Sequence, residues 1–102
     1  IAVPAVQVEQ VLDECAHAGV RSVVVISAGF AEMSSAGRVV QDRLRDRARS
    51  SGMRLVGPNC MGVLNTDPAV SLNGTFVGAW PPAGNRPRCI ASSQASGATR
   101  SG

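Results

Sequence analysis

The chain has 102 residues, 44% hydrophobic and 17% charged, which is enough to bury the core of one small domain and too apolar for disorder. Its net charge of +3 comes from ten arginines and no lysine; seven of these lie in residues 1–85 beside all seven acids, so the excess rests on Arg86, Arg88 and Arg100. Sparse aromatic residues and the lack of a clustered basic face argue against nucleic acid, no apolar run reaches the ~20 residues of a membrane span, and no basic-then-apolar leader opens the chain, so a cytoplasmic protein is expected.

Ile1 to Ala5, "IAVPA", reads as the end of a buried strand stopped by Pro4. Val8, Val11, Leu12, Cys15 and Ala16 then recur at the spacing of one helical face, with Glu9, Asp13 and Glu14 on the other side and Gly19 as a C-terminal stop. "RSVVVIS", Arg21 to Ser27, is a continuous β-branched run of the kind found in parallel strands covered on both faces. After the loop "AGFAEMSSAG", with an N-cap expected at Ser34 or Ser35, a second helix is predicted from about Ala36 to Ser50. Its inward stripe is Ala36, Val40, Leu44 and Ala48; its outer face sets Arg38 against Asp42, Asp42 against Arg45 and Asp46 against Arg49, a solvated face laced with weak ion pairs. Gly52 ends that helix and "MRLVG", Met53 to Gly57, begins the next strand. From Asp67 onward the pattern loosens into Pro, Gly and Asn, and "TFVGAWPPAGN" reads as a linker or covering segment.

Strand, helix, strand, helix, strand with short connections makes two βαβ crossovers, hence a parallel, Rossmann-like α/β sheet with flanking helices. In such sheets ligands bind beyond the carboxyl ends of the strands. The loops that leave those ends are Val3-Pro4-Ala5, Ser27-Ala28-Gly29-Phe30 and Gly57-Pro58-Asn59-Cys60, and the topology predicts that they line one edge. Gly29 and Gly57 suit such an edge, since a residue without Cβ lets a ligand approach the backbone. Cys15, Cys60 and Cys89 are odd in number and widely spaced, and His17 is the single histidine, so neither a disulfide framework nor a metal site is expected. No Lys, His or Asp adjoins Cys60 to activate it as a nucleophile, and His17 reads as a solvated or packed helix residue.

"VVVISAGFAE", "GMRLVGPNCMGVLNT", "LNGTFVG" and "SSQASGA" together resemble the CoA-binding α subunit or domain of the NDP-forming acyl-CoA synthetases, which include the ADP-forming acetyl-CoA synthetases and, more distantly, succinyl-CoA synthetase. The resemblance implies a partial Rossmann-like CoA-binding domain over residues 1–85 with its N-terminal portion, including a Gly-rich phosphate loop, missing, and residues 86–102 as an altered or truncated start of the following flavodoxin-like ligase domain. It also implies coenzyme A or acyl-CoA as ligand, contacted by Val3, Pro4, Ser27, Ala28, Gly29, Pro58, Asn59 and Cys60, with the last three near the CoA thiol. "SSQASGA" resembles the family's phosphate turn at Ser93 and Ser96, though Ala95 interrupts the pattern. The family's phosphorylatable catalytic histidine belongs to the following domain and is not His17, so no catalytic residue is expected here.

As to activity, the resemblance implies part of an enzyme that converts acyl-CoA, phosphate and NDP to carboxylic acid, CoA and NTP with an ATP-grasp β subunit or domain, the chain alone being inactive. The alternative is a non-catalytic CoA-sensing regulatory domain of a protein lysine acyltransferase. An exposed sheet edge would also let the chain form a homodimer.

Overall fold

The computed structural model describes residues 1–75 and the backbone of Cys89–Ser93. Two helices, α1 (Ala5–His17) and α2 (Ser35–Ser50), alternate with the parallel strands β1 (Ser22–Val24) and β2 (Arg54–Val56). They are followed by β3 (Cys60–Asn65), β4 (Leu72–Thr75) and β5 (Cys89–Ser93).

Both helices end in the same way. Gly19 donates to the Ala16 carbonyl and Val20 to that of Cys15; Gly52 donates to Arg49 and Met53 to Ala48. Each pair of bonds is a Schellman closure with glycine at the left-handed position, and each turns the chain directly into the next strand. At the other end of α2, the Ser34 hydroxyl accepts the Gly37 N–H at 3.0 Å, the predicted N-cap. Proline takes that place in α1, where Pro4 precedes the first turn and its carbonyl accepts the Gln7 N–H at 2.8 Å.

β1 and β2 pair in register Ser22↔Arg54, Val23↔Leu55, Val24↔Val56, and the Val25 N–H extends the ladder to the Val56 carbonyl at 2.8 Å. On the other side of β1, the Ile1 amine donates to Val24 and the Ile1 carbonyl accepts the Ile26 N–H at 2.9 Å, the slanted pattern of a parallel neighbour. The opening residues therefore lie where a strand end was expected.

Val23 and Val25 point from β1 into one core with Val8 and Leu12 of α1, Leu44 and Ala48 of α2, Phe30 and Met53. Val40, Cys15, Ala16 and Leu55 pack around it, so the predicted stripes of both helices meet on one sheet face; Ala36, placed in the stripe, is exposed. The alternate residues Val24, Ile26 and Val56 face the opposite side and are half-buried.

Two expectations are corrected. Of the three ion pairs expected along α2, Asp42–Arg45 forms at 3.0 Å, while Arg38–Asp42 and Asp46–Arg49 are absent among the described residues. Arg43 and Arg47 instead reach across to α1. Arg43 grips Glu9 with two nitrogens at 2.7 and 3.0 Å, and Arg47 meets Glu9 at 3.1 Å and Asp13 at 3.0 Å. The face read as merely solvated thus clasps the two helices together. Second, the stretch after the third parallel strand is an antiparallel sheet of order β4-β3-β5; β4 forms where the pattern was read only as loosening from Asp67 onward, and its last residue, Thr75, opens the segment read as linker. Its hairpin turn is built by side chains, with Asn65 Oδ1 accepting the Asp67 N–H at 2.9 Å and Asp67 Oδ1 accepting the Ala69 N–H at 2.8 Å.

Burial and charge contribute unequally to this fold. Leu44→Ala is expected to destabilise the chain by about 2–5 kcal/mol. Glu9→Gln, which loosens a half-exposed clasp, should cost under about 1 kcal/mol and less still in high salt. Urea unfolding of both variants at low and high salt checks the ranking, and a Glu9→Gln loss as large as that of Leu44→Ala would overturn it.

Candidate functional site

Ser27 sits just past the ladder of β1 and joins all three loops at the carboxyl edge of the parallel strands. Its hydroxyl donates to the Val3 carbonyl at 2.5 Å, and its own carbonyl accepts the Asn59 N–H at 2.9 Å. The predicted edge therefore exists as a bonded unit in which a single residue ties the loop before it and the loop after it.

Exposure divides the candidate residues. Pro4, Ala28 and Gly29 are exposed; Val3, Ser27 and Asn59 are half-buried; Pro58 and Cys60 are buried. The Gly57–Pro58 peptide is cis, and Asn59 has φ 55, a left-handed conformation that Asn adopts more readily than most residues. The Asn59 N–H, bonded to the Ser27 carbonyl, ties the turn to the end of β1. Gly57 has φ 94, and a Cβ added there would lie 2.2 Å from the Val25 carbonyl oxygen and 3.2 Å from Cys60 Sγ. At Gly29 the nearest atom to such a Cβ is the Ala5 methyl at 3.1 Å. Both glycines were expected to make room for a ligand. The space beside each belongs to the protein's own atoms, so their first requirement is internal packing.

Cys60 completes that packing. Its thiol donates to the Val25 carbonyl at 3.3 Å and the residue is 5% exposed. A thiol so enclosed packs the turn against β1.

The loop after β1 is held by two side chains that the sequence pattern did not single out. Glu32 Oε1 accepts the N–H groups of Gly29 and of Phe30, the latter at 3.1 Å, and Gln41 Oε1 on α2 accepts the Ala31 N–H at 3.2 Å. The Phe30 ring, 1% exposed, is the anchor that drives the loop against the core. Desolvation is the largest influence on the Glu32 carboxyl and pushes its pKa up, but hydrogen bonds from the Gly29 N–H, its own N–H and the Phe30 N–H together outweigh it and hold the group below the ordinary carboxylate value. The only signal in the sequence was the glutamate two places after Phe30 in "SAGFAE".

Among the described residues no group of three His, Cys, Asp or Glu could hold a metal ion, and no helix is long and apolar enough to cross a membrane. His17 is exposed on α1, its Nδ1 2.8 Å from the Asp13 carbonyl. Ser93 lies at the end of β5 with its backbone in register with Cys60; Ser96 and most of residues 86–102 lie outside the described residues. An open groove of about 530 Å³ runs along α2 between Val39 and Ser50, and it shares no residue with the loop edge.

Residues 1–66 match the family model described as the CoA binding domain. The chain is 50% identical over 74% of its length to the Pyrococcus furiosus acetate–CoA ligase [ADP-forming] I subunit alpha, covering 16% of that protein. It is 38% identical over 76% of its length to the Nitrosopumilus maritimus 4-hydroxybutyrate–CoA ligase [ADP-forming], covering 11% of it. The structure superposes on the dinucleotide-forming acetyl-coenzyme A synthetase 1 of Ca. Korarchaeum cryptofilum, solved with phosphate and ADP, with TM-score 0.68 for the apo form and 0.66 for the complex; in the complex 42% of residues are identical over 72% of this chain and 15% of that one. The chain belongs to the CoA-binding domain family and spans less than a fifth of each of these relatives.

Gly57→Ala tests the packing of the turn. The new methyl must displace the Val25 carbonyl and adopt a left-handed φ, at a cost of about 1–3 kcal/mol. Peptide-mapped alkylation should find Cys60 protected in the native chain and labelled faster in the variant; equal stability with Cys60 equally protected would refute this account.

Proposed function

We propose that this chain supplies one wall of the CoA site of an NDP-forming acyl-CoA synthetase, which converts acyl-CoA, phosphate and NDP to the carboxylic acid, CoA and NTP. The observation that carries this reading is the Ser27 junction, which brings three loops to one strand-end edge within a segment that matches CoA-binding domains throughout. The two ligases reported above carry different acids in their names, acetate and 4-hydroxybutyrate, while CoA and ADP formation are common to both. A domain shared between them is better suited to the common ligand than to the acyl group, and the common nucleotide favours ADP over GDP. That both relatives are ligases also favours the synthetase reading over a regulatory one.

Exposure assigns the parts. Pro4, Ala28 and Gly29 offer the contact surface, Val3, Ser27 and Asn59 hold the edge together, and Pro58 and Cys60 shape the turn from beneath. Residues 86–102 would begin the next domain, with Ser93 and Ser96 in its phosphate turn. The nucleotide-grasping module and the phosphorylatable histidine belong to other parts of the intact enzyme, so this chain binds without turning over.

Titration calorimetry with CoA on the purified chain is expected to show saturable one-to-one binding in the micromolar-to-millimolar range, roughly 4–8 kcal/mol. Ala28→Asp, on an exposed residue, should weaken binding at least tenfold with the unfolding midpoint unchanged. Absence of heat at millimolar CoA, or CoA-dependent ATP formation by the chain alone, would contradict the proposal.

A further inference from the structure

β4 is the end strand of the antiparallel sheet, paired with β3, and Leu72, Asn73 and Gly74 are exposed along it. Of its four residues, Gly74 is the one whose presence the fold does not explain. Gly57 and Gly62 have positive φ, and a Cβ on either would overlap a backbone oxygen, at 2.2 and 2.0 Å. Gly74 has neither constraint among the described residues. Its φ is not positive, and a Cβ there would meet the Val63 carbonyl oxygen at 3.5 Å, an ordinary contact.

Gly74 follows Asn73, whose side chain is held in a particular way. Asn73 Oδ1 accepts the Thr75 N–H at 3.2 Å and the Thr75 hydroxyl at 2.7 Å. Two donors on one carbonyl oxygen draw electron density from Cγ and stabilise negative charge that develops on that oxygen, as paired donors do in an oxyanion hole. The backbone nitrogen of Gly74 can attack Cγ because the attack closes a five-membered ring, and glycine sets no side chain beside that nitrogen. Both donors belong to the residue two places after Asn73, so the arrangement is local and needs nothing from β3. Fraying of the exposed end strand frees the Asn73 backbone to turn for ring closure and leaves the donors at hand.

We propose that Asn73-Gly74 is a site of spontaneous deamidation and isoaspartate formation, promoted by the two donors of Thr75. The Gly74 nitrogen loses its proton to solvent and bonds to Asn73 Cγ, which places negative charge on Oδ1 between those donors. Collapse of this intermediate breaks the Cγ–Nδ2 bond, and Nδ2 takes a proton from water and leaves as ammonia. The product is a succinimide in which the Gly74 nitrogen joins Cγ to the Asn73 backbone carbonyl carbon. Water then adds to one of these two carbons and breaks its bond to nitrogen. Attack at Cγ gives aspartate and attack at the backbone carbon gives isoaspartate. One water is consumed, one ammonia is released and a neutral amide becomes a carboxylate, with no change of oxidation state.

Both products alter the hairpin. Each adds a negative charge to the end strand, and the isoaspartyl link also lengthens its backbone by one methylene. Asn73 pairs with Leu64, between the pairs Leu72 with Asn65 and Gly74 with Val63, and a lengthened backbone cannot keep the pairs on both sides. The approach on the Gly74 side is already close, since the Gly74 carbonyl oxygen occupies the place of a Gly62 Cβ. Isoaspartate at position 73 therefore loosens β4 from β3.

The experiment is prolonged incubation of the purified chain at neutral pH, followed by peptide-resolved mass spectrometry, ammonia release and enzymatic methylation of isoaspartate. The peptide holding position 73 should gain the mass difference between an amide and a carboxyl and accept methyl groups, and β4 should lose amide exchange protection in step. Thr75→Val keeps the shape and strand preference without the hydroxyl and should slow the reaction about two- to tenfold, the worth of one hydrogen bond, while Thr75→Ser should retain the rate. Gly74→Ala, whose methyl the fold accommodates, restricts the backbone at the attacking nitrogen and should slow it at least about threefold. Amide exchange of β3 and β4 in each variant scales the rates to strand opening, so a change in fraying is told apart from loss of a donor. The proposal is overturned if position 73 stays asparagine while Asn59 or Asn65 converts. It is equally overturned if Thr75→Val, so scaled, reacts as fast as the unaltered chain.

Discussion

The constraint on which the rest depends is that three parallel stretches end level with one another. Ile1 pairs with Val24 and Ile26, and Val25 pairs with Val56, so the chain leaves the sheet at Val3, Ser27 and Gly57 along one line. Level ends allow a single residue to serve as a junction. Ser27 can reach the Val3 carbonyl with its hydroxyl and the Asn59 N–H with its carbonyl only because those groups lie on either side of it. A slip of one position in either pairing would move these partners by about one residue rise, roughly 3.3 Å, which is more than a hydrogen bond tolerates. The core holds the register, since Val23 and Val25 face Leu12, Leu44 and Ala48, and a one-residue slip would turn them to the open side.

That dependence explains why so much of the edge is devoted to its own construction. Gly57 lies against the Val25 carbonyl because no Cβ fits there, and Cys60 donates to the same carbonyl from beneath. The Val25 carbonyl is therefore a second junction, set deeper in the strand than the first. The turn of Gly57 to Cys60 presents a ligand with little but its outer rim, and the loop of Ala28 and Gly29 supplies most of the accessible backbone. Residue types that suggest contact with a ligand in sequence, a glycine or a cysteine in a loop, here do the work that makes contact by other residues feasible.

The sequence revealed the elements governed by periodicity. The stripe from Val8 to Ala16, the run from Val23 to Val25 and the stripe of Val40, Leu44 and Ala48 each obey one repeat, and all meet in the core. The edge was legible for the same reason, since it follows from the order of those elements. Features that depend on long-range partners were not. β3 does alternate, with Cys60, Gly62 and Leu64 buried, but a glycine among the inward positions and Asn65 at the end weaken the apolar signal. β4 carries Asn73 and Gly74 in only four residues, too short and too polar to show a period. The arginines of α2 were assigned partners along their own helix because spacing is all a sequence displays, whereas Glu9 lies 34 positions away and was brought near by packing. Glu32 escaped notice because its role is fixed by two backbone N–H directions, which no pattern of side chains records.

The charges of the edge bear on what it can hold. None of Val3, Pro4, Ser27, Ala28, Gly29, Pro58, Asn59 and Cys60 is positive, and the nearest acid, Glu32, is bonded into the loop itself. Coenzyme A is an anion with a long neutral arm, and binding its phosphates calls for arginine, lysine or several free N–H groups. Of the arginines on α2, Arg43 and Arg47 are clasped to Glu9 and Asp13 on the helix layer and Arg45 is paired with Asp42. On the function proposed above, an edge without positive charge suits the neutral part of such a ligand better than its phosphates.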